Sequence, residues 1–111
     1  MDLYGDKSMK QGEIYLVGLD PTIGSEQSKT RPCIIISTNL INEFSNTVTI
    51  APLTSKKRKK PFPFHIPFKN TIIKIEHMRT VDKSRLIKKM SFIDSRTNFE
   101  IKKALIKYFD L

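Results

Sequence analysis

Residues 12–37 read GEIYLVGLDPTIGSEQSKTRPCIIIS. Gly12 to Leu19 has the short, β-branched and aromatic character of a strand. Asp20-Pro21 ends it, because a proline ring disfavours continuation and restricts the residue before it. Thr22 to Thr30 is a polar loop with Gly24 as its hinge candidate. Pro32 to Ser37 then resumes as a strand so rich in Ile that both faces are predicted to be buried. The loop also poses a chemical question. It ends on Arg31-Pro32, which puts an arginine at the mouth of a buried apolar run.

Working outward, residues 1–10 are polar, mixed in charge and expected to form a loose arm, with a single domain over 11–111. Asn39 to Asn46 reads as a short helical turn or loop, and Thr47 to Leu53 (TVTIAPL) as a third strand. Pro52 inside it points to a strand end or an edge. Ser55 to Lys60 (SKKRKK) has no apolar content and reads as a loop. In Pro61 to Phe68 (PFPFHIPF) alternation argues strand and the prolines argue edge. Thr71 to Val81 (TIIKIEHMRTV) predicts one long strand. It would carry Ile73, Ile75 and His77 on one face and Ile72, Lys74, Glu76 and Met78 on the other. Asp82 to Arg85 is a turn capped by Asp82, and Leu86 to Ile93 a further strand. Asp94 or Ser95 caps a final helix running through Tyr108. Its apolar face is Asn98, Ile101, Ala104, Leu105 and Tyr108, with Lys102, Lys103 and Lys107 toward water. No strand–helix–strand alternation appears, which disfavours a doubly wound parallel sheet. The expectation is a mainly β, β-rich α+β fold: about five or six short strands in a bent antiparallel sheet or half-open barrel, with a C-terminal helix.

Length and charge bound the function. At 111 residues the chain suits one domain. A domain of this size buries only about 60–70% of the surface its unfolded chain exposes, so a partner subunit would help it. Twenty Lys and Arg against 11 Asp and Glu give a net charge of +9, which favours a polyanionic partner, nucleic acid first. The single cysteine, Cys33, excludes an intrachain disulfide and a Cys-rich metal site. That agrees with a reducing, cytoplasmic setting. MDLYGDKSMK lacks the apolar segment of a signal peptide, and no apolar run nears the length of a membrane span. Cys33 itself, framed by apolar residues, reads as an inert core thiol.

Three polar patches follow or interrupt the strands. They are Ser25, Glu26, Gln27 and Lys29 up to Arg31; Thr54-Ser55 after the third strand; and Lys74, Glu76, His77 and Arg79. In a small barrel, strand ends converge on one rim, where sites are usually built. From the residues alone, Arg31 could equally pair with Asp20 or Glu26, and Thr54 could simply cap a turn.

The pieces GEIYLVGLDPTIGSEQSKTRPCIIIS, TVTIAPLTS and EHMRTVDKSRL together resemble the MazF/PemK family of toxin endoribonucleases, over about residues 11–110. The resemblance implies an SH3-like, CcdB-like antiparallel barrel with a C-terminal helix, dimerised. It implies a toxin that cuts single-stranded RNA, often mRNA, at short motifs without metal or other cofactor, leaving 2′,3′-cyclic phosphate and 5′-hydroxyl ends. It also implies an antitoxin with an acidic, partly disordered tail suited to the +9 charge. The family's usual catalytic pair falls on Arg31 and Thr54. Glu76 stands where some members carry a catalytic Asp, and Lys74 where they carry Arg. His77 stands where relatives often carry Gln, a place for RNA contact. Ser28-Lys29 replaces the Gly-Gly that many members have after SEQ, which implies a stiffer, more basic loop.

Around that pair, Ser25, Glu26, Gln27, Lys29, Ser55, Lys74, Glu76, His77 and Arg79 are the supporting or RNA-binding candidates. Lys56 and Lys57 open a run of five cations that is a solvated loop or an RNA rail. Phe62, Phe64 and Phe68 are core residues by alternation, or stacking platforms for bases. His65 reads as structural. Two alternatives stand beside the nuclease: a CcdB-like poison of DNA gyrase, and a non-catalytic RNA-binding module.

Overall fold

Strand β1 (Glu13–Gly18) pairs antiparallel with β2 (Thr30–Ile35), setting Ile14 against Ile34 and Val17 against Arg31. This computed structural model describes residues 9–19, 29–55 and 61–111. The expected arm, 1–10, therefore lies almost wholly outside the described residues, as do Gly24, Ser25, Glu26, Gln27 and the cationic run 56–60.

As the Ile-rich pattern predicts, β2 is buried on both faces: Cys33, Ile34 and Ile35 are each 0% exposed. Alternation sorts them into two cores. Ile34 and Ile36 join Ile14, Ala51, Leu53, Ile73, Ile75, Ile101 and Ala104 on the face covered by the C-terminal helix. Cys33 and Ile35 join Val17, Val48, Ile50, Val81 and Leu86 on the opposite face. The central strand is β3 (Thr47–Thr54), with β2 along one side. Its other side changes partner. Thr47–Ile50 pair with β6 (Arg79–Asp82), while Leu53 and Thr54 pair with β5 (Thr71–Lys74). Pro52 falls in the gap between these two pairings, so it is tolerated inside a central strand rather than marking an edge.

The long strand expected over Thr71–Val81 is not continuous. From Ile72 opposite Thr54 to Arg79 opposite Ile50 there are seven steps on one strand against four on the other, so three residues are extra. They form a 3₁₀ turn, Ile75–His77, closed by the Met78 N–H donating to the Ile75 carbonyl at 3.0 Å. The excursion also separates Ile75 from His77: Ile75 is 0% exposed and His77 faces solvent.

The sheet order is β4-β5-β3-β2-β1-β7, with β6 on β3. Strand β4 (His65–Phe68) is shorter than the predicted Pro61–Phe68, and β7 covers Leu86–Phe92. These two ends of the path do not pair, so the sheet is open, in keeping with the bent antiparallel sheet or half-open barrel expected from sequence. Pro67, inside a strand of four residues, removes a donor from that edge. Asp82 accepts from the Ser84 N–H at 2.9 Å and starts a second 3₁₀ turn, Lys83–Arg85.

Among the described residues, two α-helices complete the fold. Helix α1 (Asn39–Phe44) is capped by Thr38, and α2 (Ser95–Phe109) by Asp94, whose carboxylate accepts from the Thr97 N–H at 3.3 Å. Asp110 ends α2 in the left-handed region at φ 57°. Of the predicted apolar face, Ile101 and Ala104 are buried and Leu105 packs beside them. Tyr108 stays exposed, meeting Phe64 edge to face at 5.5 Å.

Candidate active site

The β2–β3 register decides the geometry. Cys33 stands opposite Pro52. Two residues further along their strands, Arg31 and Thr54 fall by alternation on the same face as Cys33 and Pro52. That face is the one bearing Cys33, Ile35, Val48 and Ile50, away from α2. Both side chains are part-buried and line one open cleft of about 460 Å³ together with Leu19, Pro52, Lys74, His77 and Arg79. Two residues distant in sequence thus share one concavity with three further side chains from the β5–β6 segment.

The cleft is cationic. Arg31, Lys74 and Arg79 all border it, and His77 adds an imidazole whose side chain is 56% exposed. Cys33, directly beneath, reports on this charge. Burial pushes its thiol up to about 12, although the nearby Arg31 and Arg79 charges act in the lowering direction. It is an inert thiol that fills space and donates weakly to the Arg31 carbonyl at 3.5 Å.

Of the predicted residues, the cleft unites Arg31, Thr54, Lys74, His77 and Arg79. Glu76 does not line it. Its carboxylate turns toward β4, where Oε2 lies 2.6 Å from His65 Nε2 and 3.9 Å from His77 Nε2. Burial pushes the Glu76 carboxyl up, but the His65 hydrogen bond, then the residue's own backbone N–H, then the nearby His65 and His77 imidazoles outweigh it and hold the group below the usual range. Ser55 and Lys29 are exposed beside the cleft strands, and the Lys29 carbonyl accepts the Leu19 N–H at 2.8 Å. Ser25, Glu26, Gln27, Lys56 and Lys57 lie outside the described residues, as does any pairing of Arg31 with Asp20 or Glu26.

Sequence reading did not place Leu19 and Pro52 in the lining, nor His65 as the partner of Glu76. The first two follow from register: Leu19 continues β1 past Gly18, and Pro52 is two residues before Thr54. The aromatic candidates divide. Phe64 and Phe68 pack on the core under α2, while Phe62 meets Phe64 and His65 edge-on at 5.4 and 4.9 Å. None of the three lines the cleft.

Comparison with known proteins places this arrangement. The family model for the PemK-like, MazF-like toxin of type II toxin–antitoxin systems matches residues 10–109. An endoribonuclease MazF of Staphylococcus saprophyticus is 33% identical over 105 residues, spanning 87% of this chain and 88% of the relative. The endoribonuclease EndoA of Bacillus subtilis is 31% identical over 105 residues, spanning 87% and 90%. Among solved structures, a MazE–MazF structure from Deinococcus radiodurans superposes with a TM-score of 0.79 at 22% identity, covering 94% of this chain and 97% of that one. An endoribonuclease from a mycobacterial species also reaches 0.79, at 19% identity, covering 94% and 93%. The structures establish the fold, and the family match over nearly the whole chain establishes kinship: this chain belongs to the PemK-like, MazF-like toxins of type II toxin–antitoxin systems.

Proposed function

We propose that this toxin endoribonuclease cuts single-stranded RNA in the Arg31–Thr54 cleft by attack of the RNA's own 2′-hydroxyl. The observation that carries the reading is that one guanidinium and one hydroxyl, from the neighbouring strands β2 and β3, line the same cationic cleft. Because the nucleophile arrives with the substrate, the protein has three tasks. It must align the 2′-oxygen with phosphorus, stabilise charge on the phosphorane, and let a proton reach the leaving 5′-oxygen. The 2′-O–P bond forms, the P–5′-O bond breaks, and the proton lost by one oxygen is gained by the other through solvent in the open cleft. The products are a 2′,3′-cyclic phosphate and a 5′-hydroxyl, and the step needs no metal.

Arg31 presents a planar fork that matches two phosphoryl oxygens. A guanidinium is a poor base and a good holder of developing negative charge. Thr54 supplies a rotatable hydroxyl that can donate to a phosphoryl oxygen or accept from the 2′-hydroxyl. Lys74 and Arg79 hold flanking phosphates, and exposed His77 meets a base or sugar edge. An unpaired strand fits this role, since its bases can be splayed apart along the cleft. The same positive surface suits the acidic tail of an antitoxin, and the toxin acts in the cytoplasm as a homodimer.

Purified protein incubated with a mixed single-stranded RNA pool in EDTA tests the reading. Discrete fragments with 5′-hydroxyl ends are expected, and mapping those ends identifies the cleavage motif. RNA left whole across varied sequences would refute it. A DNA gyrase supercoiling assay run in parallel separates it from the gyrase-poison alternative.

A further inference from the structure

The 3₁₀ turn between β5 and β6 holds a contact that the cleavage chemistry leaves unused. His65 on β4 stands opposite Lys74 on β5, and its side chain is only 9% exposed. An ionised carboxylate can only accept, so His65 Nε2–H donates to Glu76 Oε2 at 2.6 Å. The second carboxylate oxygen, Oε1, is buried without a hydrogen-bond partner among the described residues. The His65 imidazole is therefore the side chain that hydrogen-bonds this carboxylate among the described residues. A parallel backbone contact helps: the Ile75 N–H donates to the Phe64 carbonyl at 2.9 Å. Glu76 lies between buried Ile75 and cleft-lining His77, and Lys74 immediately precedes the turn.

We propose that His65 is a positioning residue for RNA capture: through Glu76 it holds the Ile75–His77 turn so that Lys74 and His77 face the cleft. The proposal rests on the reading that this cleft cleaves RNA. A part-buried carboxylate that loses its donor has to regain hydrogen bonds from water. On this proposal the freed carboxylate rotates outward to water and draws the two neighbouring cleft side chains with it. Arg31 and Thr54 stand on β2 and β3, whose pairing does not involve His65. Substrate affinity should therefore depend on His65, while the chemical step should not.

Steady-state cleavage of a short single-stranded RNA carrying the mapped motif tests this, with circular dichroism and thermal melting to confirm folding. His65→Phe keeps a ring and removes the donor, whereas His65→Gln can extend an amide N–H toward the same place. His65→Phe should raise KM about tenfold with kcat within about twofold, the pattern of lost uniform binding. His65→Gln should recover KM to within about threefold of the parent. A folded His65→Phe with unchanged KM, a loss confined to kcat, or a Gln variant no better than Phe would each overturn the proposal. Should His65→Phe fail to fold, Glu76→Ala decides: the same KM rise supports the role, and an unchanged KM overturns it. Arg31→Ala run alongside keeps the two readings apart. Cleavage retained there overturns the cleft assignment, whereas cleavage lost there beside a wild-type KM in His65→Phe overturns only the positioning role.

Discussion

Arg31 and Thr54 stand on strands that pair in unbroken register, Cys33 to Pro52 through Ile35 to Ile50. Lys74, His77 and Arg79 stand across an interruption in which three extra residues leave the ladder. The first wall presents both side chains to one cleft above a core of fully buried Cys33, Ile35 and Val48. The second re-aims side chains by breaking pairing, as bulges commonly do beside sites. The contrast suggests a division of labour. In the proposed reaction, rigid, regular backbone would hold the groups that act on the phosphate, where small displacements are costly. Irregular backbone would hold the groups that grip the flanking strand, where reach matters more.

The largest effect expected from that division is at Arg31. Arg31→Ala should lower kcat by about 10²–10³ with an unchanged circular dichroism spectrum, since it removes a charge-stabilising donor from a part-buried strand position. A residual rate near wild type would break the comparison at once. Thr54→Val keeps the shape and removes the hydroxyl, and should cost on the order of 10² in kcat at constant melting temperature. On the other wall the signature changes from rate to affinity. Lys74→Gln should leave kcat nearly intact, weaken RNA binding a few-fold, and lower the slope of log K against log salt by about 0.7, the value for one phosphate on a single strand. A kcat collapse in Lys74→Gln would erase the distinction between the walls.

The smallest effect concerns acid stability. Glu76 is held below its ordinary value of 4.5 in the fold, chiefly by the His65 hydrogen bond working against burial. A depressed carboxyl contributes stability that is complete above the unfolded value and is lost as pH falls through the lower folded one. The melting temperature should therefore decline as pH drops below about 4.5, and Glu76→Gln, which has no charge to lose, should flatten that part of the curve. An identical acid limb in the variant would show that Glu76 does not carry it.

The same two walls differ in how far they could be read from sequence. The β1–β2 strands, the two-sided burial of Cys33 to Ile36 and the Asp94 cap were legible because each is written in local pattern. The Arg31–Thr54 pairing was suggested by motif, but only cross-strand register puts the two on one face. The β5–β6 interruption was not legible. Ile73 and Ile75 alternate as in an unbroken strand and are both buried, so period-two patterning is the same with or without the turn. What sets the turn is tertiary: the Phe64 carbonyl and the His65 imidazole reach it from β4 and its approach. The sequence left a bent sheet and a half-open barrel both standing, since whether β4 meets β7 depends on edges and not on the strands themselves.

The central claim is that the substrate supplies its own nucleophile between Arg31 and Thr54. Once the cleavage position is mapped, a matched RNA with a single 2′-deoxy substitution on the nucleotide 5′ to the scissile phosphate tests it most directly. The account predicts that this strand binds as tightly as the all-ribose strand and is not cut. Cleavage at the same phosphate, at a comparable rate, would contradict it.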